Sequence, residues 1–370
     1  MAASSLRFGV IGLTSDHVWG MGEGLAALPG VDLVAAADGH PELREEAMRR
    51  WRVPTTYEHH RELLERERPD AVLICCDNAA KAEVVADAAG RGVHVYQDKP
   101  LAATAEQAEG IARAVEDAGI RFMVAYHRAF SPHYEELRRV VRDGALGQVF
   151  LARGAIGHGG PVEFGCSRYF CEWLFDPARN GGGALVDEGC YVVDTMVDYV
   201  GPIVEVSAFT TQMGTRDYLP AGIEDNAVVI LRFASGALGV IDAKWGQVGP
   251  APLVASYHGT EGTLSVFSDR AELHTRKGAV REGWEPLPVA AAHGPAQDVR
   301  GWRLPTPPRS EAGRGGTEQR AFVALLRDGV PLPDAAGLAV GLHTQRVIDA
   351  AYRSAESGRA ARVDQGGDGR

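Results

Sequence analysis

Short apolar runs alternate with amphipathic stretches over the first third of the chain. The runs at 6–11, 31–37, 71–76, 93–97 and 121–125 are rich in Val, Ile, Leu and Ala, which predicts buried strands. Between them, 19–28, 42–50, 80–89 and 105–118 repeat apolar residues at helical spacing, with Met21, Leu25 and Leu28 on one stripe of the first. Strands that alternate with helices pair in parallel through right-handed crossovers, an α/β arrangement.

The texture changes after about residue 125. A helix is predicted over 132–143 and a strand over 149–156, followed by Gly- and aromatic-rich sequence up to Gly183 and a helix over 190–200. Alternating segments then predict strands at 203–211, 226–233, 237–244, 254–258 and 262–267, with Gly236 marking a hairpin. This is the pattern of a large open, mostly antiparallel sheet in an α+β domain. Residues 286–316 read as a long loop, 317–327 and 336–357 as closing helices, and 358–370 as a frayed tail. The expected division is therefore 1–125 and 126–357.

Bulk properties narrow the function. A chain of 370 residues, 45% apolar, can build two cores. No run approaches the roughly 20 apolar residues of a membrane span, and the short polar N-terminus does not read as a secretory signal, so a cytoplasmic protein with no membrane partner is expected. A net charge of −11 argues against nucleic acid as a partner. Five cysteines carry neither a disulfide framework nor zinc spacing, and no metal is expected.

Candidate chemistry begins at Gly9–His17. A dinucleotide fingerprint places three glycines between strand and helix. Here only Gly12 holds its position, with Thr14 and His17 at the other two. A free helix N-terminus would still attract a pyrophosphate, Thr14 and Ser15 can donate hydroxyl bonds, and Asp16 would cap the helix with its carboxylate turned away. Asp38 ends the second strand, where an acid accepts from ribose hydroxyls; with only Gly39 and His40 following, NAD is favoured over NADP.

Two later segments are more specific. Asp98-Lys99-Pro100 closes the fourth strand, and Gly181-Gly182-Gly183 leads through Asp187 and Glu188 to Tyr191. Together with the turns Gly144–Gly147 and Gly259–Gly262, these resemble the glucose–fructose oxidoreductase / inositol dehydrogenase (Gfo/Idh/MocA) family over nearly the whole chain. The resemblance implies an N-terminal Rossmann domain that binds a nicotinamide dinucleotide and a C-terminal domain that closes a substrate cleft. It implies oxidation or reduction of a carbon in a sugar, polyol or related cyclic alcohol. By position in the family pattern, Cys76, Asp77, Asn78, Lys81, Asp98, Lys99 and His127 are expected at the cofactor. The departures are Cys76-Asp77-Asn78 for Thr-Pro-Asn, Lys81 for His, Asp98 for Glu, and Tyr191 for the usual catalytic His. Tyrosine at that last position is similar to branches that include dihydrodiol and xylose dehydrogenases.

On this reading Tyr191 exchanges the proton as phenol or phenolate, with Lys99 as its electrostatic partner, or the two roles are reversed. Asp187, one helical turn before Tyr191, accepts from a substrate hydroxyl or orients the lysine. His127 and Arg128 follow the fifth strand and either meet the ligands or form a surface turn. His158, Arg168 and Trp173 are candidates for the substrate, with Trp173 either stacking on a sugar or packing in a core. Alternatives are a redox-neutral enzyme that retains NAD and a non-catalytic relative. Apolar residues on both faces of the large sheet, among them Val228, Ile230, Val240 and Ile241, predict a homodimer or homotetramer through that sheet.

Overall fold

A computed structural model describes residues 5–213, 216–249, 251, 253–276, 282–287, 299–305 and 316–365. Its first layer is a parallel sheet of β1 (Leu6–Ile11), β2 (Val31–Ala37), β3 (Thr56–Tyr57), β4 (Ala71–Ile74), β5 (His94–Asp98) and β6 (Phe122–Ala125). The order is β3-β2-β1-β4-β5-β6. Helices α1 (His17–Ala26), α2 (Pro41–Trp51), α3 (His60–Glu67), α4 (Lys81–Ala89) and α5 (Ala105–Ala118) connect the strands. Phe8, Val10, Val72, Leu73 and Val95 are fully buried, because helices cover both faces. The order of successive strands switches sides between β1 and β4, which leaves a crevice at their C-terminal ends. Gly12, Asp38, Cys76, Asp98 and His127 all lie at this edge. The sequence reading omitted β3 and α3, since β3 has two residues and α3 is mostly charged.

The second half begins with α6 (Pro132–Arg142), β7 (Val149–His158), the short helices α7 (Pro161–Phe164), α8 (Arg168–Leu174) and α9 (Pro177–Asn180), a π-turn at Leu185–Gly189, and α10 (Cys190–Val200). There follow β8 (Ile203–Thr211), β9 (Asn226–Phe233), β10 (Leu238–Trp245), β11 (Leu253–Gly259), β12 (Gly262–Phe267), β13 (Arg270–Thr275), β14 (Glu285–Leu287), β15 (Arg300–Pro305), α11 (Thr317–Asp328), α12 (Leu338–Ser357) and β16 (Ala361–Arg362). The ten-stranded sheet runs β14-β15-β13-β12-β11-β7-β10-β9-β8-β16. Its neighbours are antiparallel apart from the parallel pair β7–β10. Val206, Val229, Leu231, Ile241, Tyr257 and Leu264 bury one face under helices, whereas Phe209, Val228, Ile230 and Leu238 are exposed.

Three expectations need correction. Helix α11 does not stay with the second half: Phe322 packs on Phe8 and Tyr96, at ring distances of 6.2 and 5.7 Å. Its apolar face finds its cover on the first sheet, so 126–357 is not one spatial unit. The expected loop 286–316 contains β15, paired with β13 and β14, while 288–298 and 306–315 lie outside the described residues. The expected frayed tail is ordered through Gln365, because β16 closes the edge of β8, Val363 is buried, and the Gln365 amide donates to Ile203. Residues 366–370 lie outside the described residues.

Candidate active site

The turn from β1 into α1 is tight. Gly12 has φ +81°, and a Cβ there would stand 2.3 Å from the Cys76 nitrogen, so only glycine lets the two strand ends approach. Asp16 occupies the N-cap position without bonding to the helix. Its carboxylate is turned away as expected, but it caps nothing in α1: it accepts from the Ser167 N–H at 2.6 Å, holding the start of α8. This leaves the first amides of α1 without a side-chain cap. Asp38 is held at the same edge, accepting from the Leu13 N–H at 2.7 Å and the His40 N–H at 2.8 Å. An open helix N-terminus and a fixed acid fit the pyrophosphate and ribose of NAD. Gly39 is exposed beside them, and Thr14 is buried within the turn. The Ser15 hydroxyl is not available to phosphate, as expected of it, because it donates to Asp98 at 2.9 Å.

Asp98 also pairs with His17, Nδ1 to carboxylate, at 3.0 Å. Burial opposes both charges, yet their attraction prevails: His17 is raised above its ordinary value and Asp98 is held below its own. The shorter acid at this position therefore works as the counter-charge of His17.

Lys81 departs most from expectation. It is almost wholly buried, and its ammonium donates to Asn78 Oδ1 at 2.9 Å and to the carbonyls of Asp98, Lys99 and Pro100 at 2.8, 3.1 and 2.8 Å. A lysine has three protons to give, so no capacity remains for a cofactor. Lys81 instead clamps the turn that carries Lys99. Asn78 is likewise committed, donating to the carbonyl and side-chain oxygens of Asn180 at 3.1 and 2.8 Å. Asp77 accepts from the Ala80 N–H and from Arg179. Asn78 and Asp77 join the two halves, Lys81 ties the first half to itself, and the hydrogen bonds of all three go to the protein. Burial pushes the Cys76 thiol up to about 12, so it stays neutral.

The other wall comes from Gly181–Tyr191. A Cβ on Gly181 would stand 2.2 Å from the Ala103 carbonyl, and one on Gly183 would stand 2.0 Å from that of Glu224. Gly181 is thus a close approach to the first half, and Gly183 one within the second. Glu224 fixes it by accepting from the Gly183 and Leu185 N–H groups and from the Tyr352 hydroxyl. The chain then forms the π-turn where a regular helix was expected. A wide turn leaves carbonyls free of the helical ladder. The Asp187 carbonyl and carboxylate both accept from Lys99 Nζ at 2.8 Å. The second carboxylate oxygen accepts from Trp245 Nε1 at 3.2 Å. Nothing in the sequence paired Trp245 with a residue so far upstream.

Lys99 Nζ lies 4.9 Å from the centre of the Tyr191 ring, over its face. Its donors go to Asp187, and none of its hydrogen bonds goes to the phenol. Arg128 stands 4.8 Å over the same ring, and His127 meets it edge-on at 5.5 Å. Burial pulls the Lys99 pKa down, but the Asp187 charge outweighs it, and Lys99 ends well above its usual value. Burial raises the Tyr191 phenol, and Lys99 offsets only part of this. The resting pair is therefore ammonium and neutral phenol, not the phenolate considered from sequence. Burial and then Arg128 push His127 down to about 4, so its ring is neutral at pH 7.

The substrate candidates divide. His158 lies 3.5 Å from Glu188, next to Asp187, and this carboxylate raises its pKa despite burial. Arg168 does not join them: it is exposed and lies on Tyr169, 4.6 Å from ring centre to guanidinium. Tyr169 in turn meets His40 at 5.1 Å, near Asp38. Trp173 is buried with Phe170, Leu174 and Trp245, so it packs and offers no open face for a sugar. Trp173 thus takes the packing alternative, and Trp245, equally buried, reaches the site only through its N–H to Asp187.

Comparison with known proteins accounts for this arrangement. Residues 6–126 match the model of an oxidoreductase family with an NAD-binding Rossmann fold, and residues 134–265 match the GFO/IDH/MocA C-terminal domain. D-apiose dehydrogenase of Paraburkholderia graminis is 28% identical over 342 residues, 91% of this chain and 84% of that protein. Levoglucosan dehydrogenase of Pseudarthrobacter phenanthrenivorans is 27% identical over 293 residues, 73% of this chain and 74% of that protein. A solved levoglucosan dehydrogenase in complex with NADH and levoglucosan superposes with a TM-score of 0.79 at 23% identity, covering 98% of this chain and all of that one, 100%. The two matched halves, with Lys99 and Asp187 meeting between them, make this chain a member of the GFO/IDH/MocA family of NAD-binding oxidoreductases.

Proposed function

We propose that the protein transfers hydride between NAD(H) and a hydroxyl-bearing carbon of a sugar, polyol or related cyclic alcohol, with Lys99 passing the proton. The observation that carries this reading is the buried Lys99 ammonium, fixed by two oxygens of Asp187 over the Tyr191 ring. The names of the similar dehydrogenases support the substrate class. Nicotinamide, when bound, gives or takes the hydride. In reduction, Lys99 donates its proton to the oxygen of the carbonyl carbon as that oxygen becomes a hydroxyl. In oxidation, Lys99 as the neutral amine accepts the hydroxyl proton. Asp187 orients the amine and sets its basicity. Tyr191, a neutral phenol, forms the floor and offers a hydroxyl to the substrate. Growth of NADH absorbance on adding NAD and a panel of sugars and polyols tests the reading; NADH binding without turnover of any of them contradicts it.

The proton balance sets the pH dependence. Oxidation needs the amine, and Asp187 holds Lys99 well above its ordinary value. The oxidation rate should therefore climb with pH into the alkaline range, while the reduction rate falls over the same interval. In Asp187→Asn the raising charge is gone and burial remains, so the rising limb should move to lower pH. A limb that stays in place in a pH–rate profile would remove Asp187 from this role.

The exposed row Phe209, Val228, Ile230 and Leu238 on the sheet's outer face supports pairing of two subunits there. Ile241 belongs to the opposite, buried face. Light scattering at micromolar concentration should return a dimer or tetramer, and Ile230→Glu should shift it toward monomer.

A further inference from the structure

A cavity of about 600 Å³ opens beside the Lys99 cluster, between α6, α10 and strands β7, β11 and β12. Arg128 and His158 stand on its lining. Arg128 covers the Tyr191 ring and His158 pairs with Glu188, so the cavity adjoins the proposed reaction centre. The volume is within the range of about 300–1,000 Å³ for pockets that enclose most of a ligand larger than one small ring. Most of the remaining wall is apolar, with Leu137, Ile156, Val192, Tyr257 and Val266, although Ser131, Thr195 and Ser268 also line it. A bare sugar carries a hydroxyl on nearly every carbon, and those facing this wall would lose water without gaining a partner. A largely apolar lining beside Arg128 and His158 asks for a ligand with hydroxyls at one end and a hydrocarbon body at the other.

We infer that the substrate is a cyclic alcohol carrying an aryl group, such as an aryl glycoside, with its hydroxylated ring at Lys99 and its aryl group in this cavity. The inference rests on the dehydrogenase reading and specifies its substrate class. Val192, Tyr257 and Val266 take the aryl group out of water.

The test compares phenyl and methyl glycosides of the same sugars with the full chain and NAD. The phenyl compound of the accepted sugar should show a kcat/KM about tenfold or more above the methyl one, the discrimination an apolar pocket supplies. Val266→Trp, which fills the chamber, should bring the ratio toward one. Val254→Phe, from another strand of the lining, is the second variant if the first does not fold. A wild-type ratio near one, or a ratio unchanged in a folded filled variant, overturns the inference and leaves the dehydrogenase reading standing. If no glycoside is oxidised, the dehydrogenase reading still rests on the panel of sugars and polyols, and calorimetry on the NAD-loaded protein decides the cavity. Binding of phenyl but not methyl glycoside, lost in Val266→Trp, supports it, and equal or absent binding overturns it.

Discussion

Lys99→Met should lower kcat for oxidation and reduction by about 10²- to 10⁴-fold, the usual contribution of a positioned acid–base group, with NADH binding retained. The thioether matches the lysine stem but offers neither a proton nor an acceptor for one. The substitution also leaves Asp187 buried with only the Trp245 N–H as a side-chain donor. Removing one partner of a buried pair costs about 3–5 kcal/mol of stability. Two effects are thus mixed in one variant, and the double variant Lys99→Met/Asp187→Asn separates them. With both charges gone most of the stability should return, read from a denaturant melt, while turnover stays lost. Recovery of turnover in the double variant would show that Lys99 serves the fold and not the proton. NADH fluorescence titration checks that the cofactor still binds.

Lys81→Met should be among the most destabilising single changes in the first half. Lys81 donates to one side-chain oxygen and three carbonyls, all within 3.1 Å. Methionine fills the volume and leaves four buried acceptors without that donor, at about 1–3 kcal/mol each where no water replaces it. A loss of at least about 3 kcal/mol is expected. The turn it clamps is also the one that aims Lys99. At a temperature well below the melt, kcat should fall while KM for NAD changes little, since Lys81 reaches no cofactor. A KM for NAD that rises with kcat unchanged would restore the cofactor-binding role expected from its position in the sequence.

Lys81 also shows where a sequence can be read and where it cannot. The parallel sheet was legible because β1, β2, β4, β5 and β6 are buried on both faces and read as apolar runs. Lys99, Asp187, Tyr191, His127 and His158 were legible as candidates because they follow strand ends or the triple glycine. Their division of labour was not. A lysine in the sequence carries no sign of the four oxygens around it, so Lys81 read as a ligand group. Trp173 and Trp245 are equivalent as letters, and only the packing of β10 against the π-turn gives Asp187 to Trp245. Arg168 was placed with the substrate by its aromatic neighbourhood, but its partner is the adjacent Tyr169. Residues 286–316 read as a loop because Pro, Gly and Arg mask β15, a strand that β13 stabilises from outside its own sequence.

The account stands on one geometric claim: two oxygens of Asp187 hold the Lys99 amine where the reacting oxygen arrives. A crystal structure of the wild-type protein with NADH and a bound cyclic alcohol tests it most directly. The account predicts Lys99 Nζ within about 3 Å of the hydroxyl on the carbon facing the nicotinamide, with its bond to Asp187 kept. A substrate whose reacting hydroxyl meets another residue, with Lys99 still turned wholly toward Asp187, would contradict it.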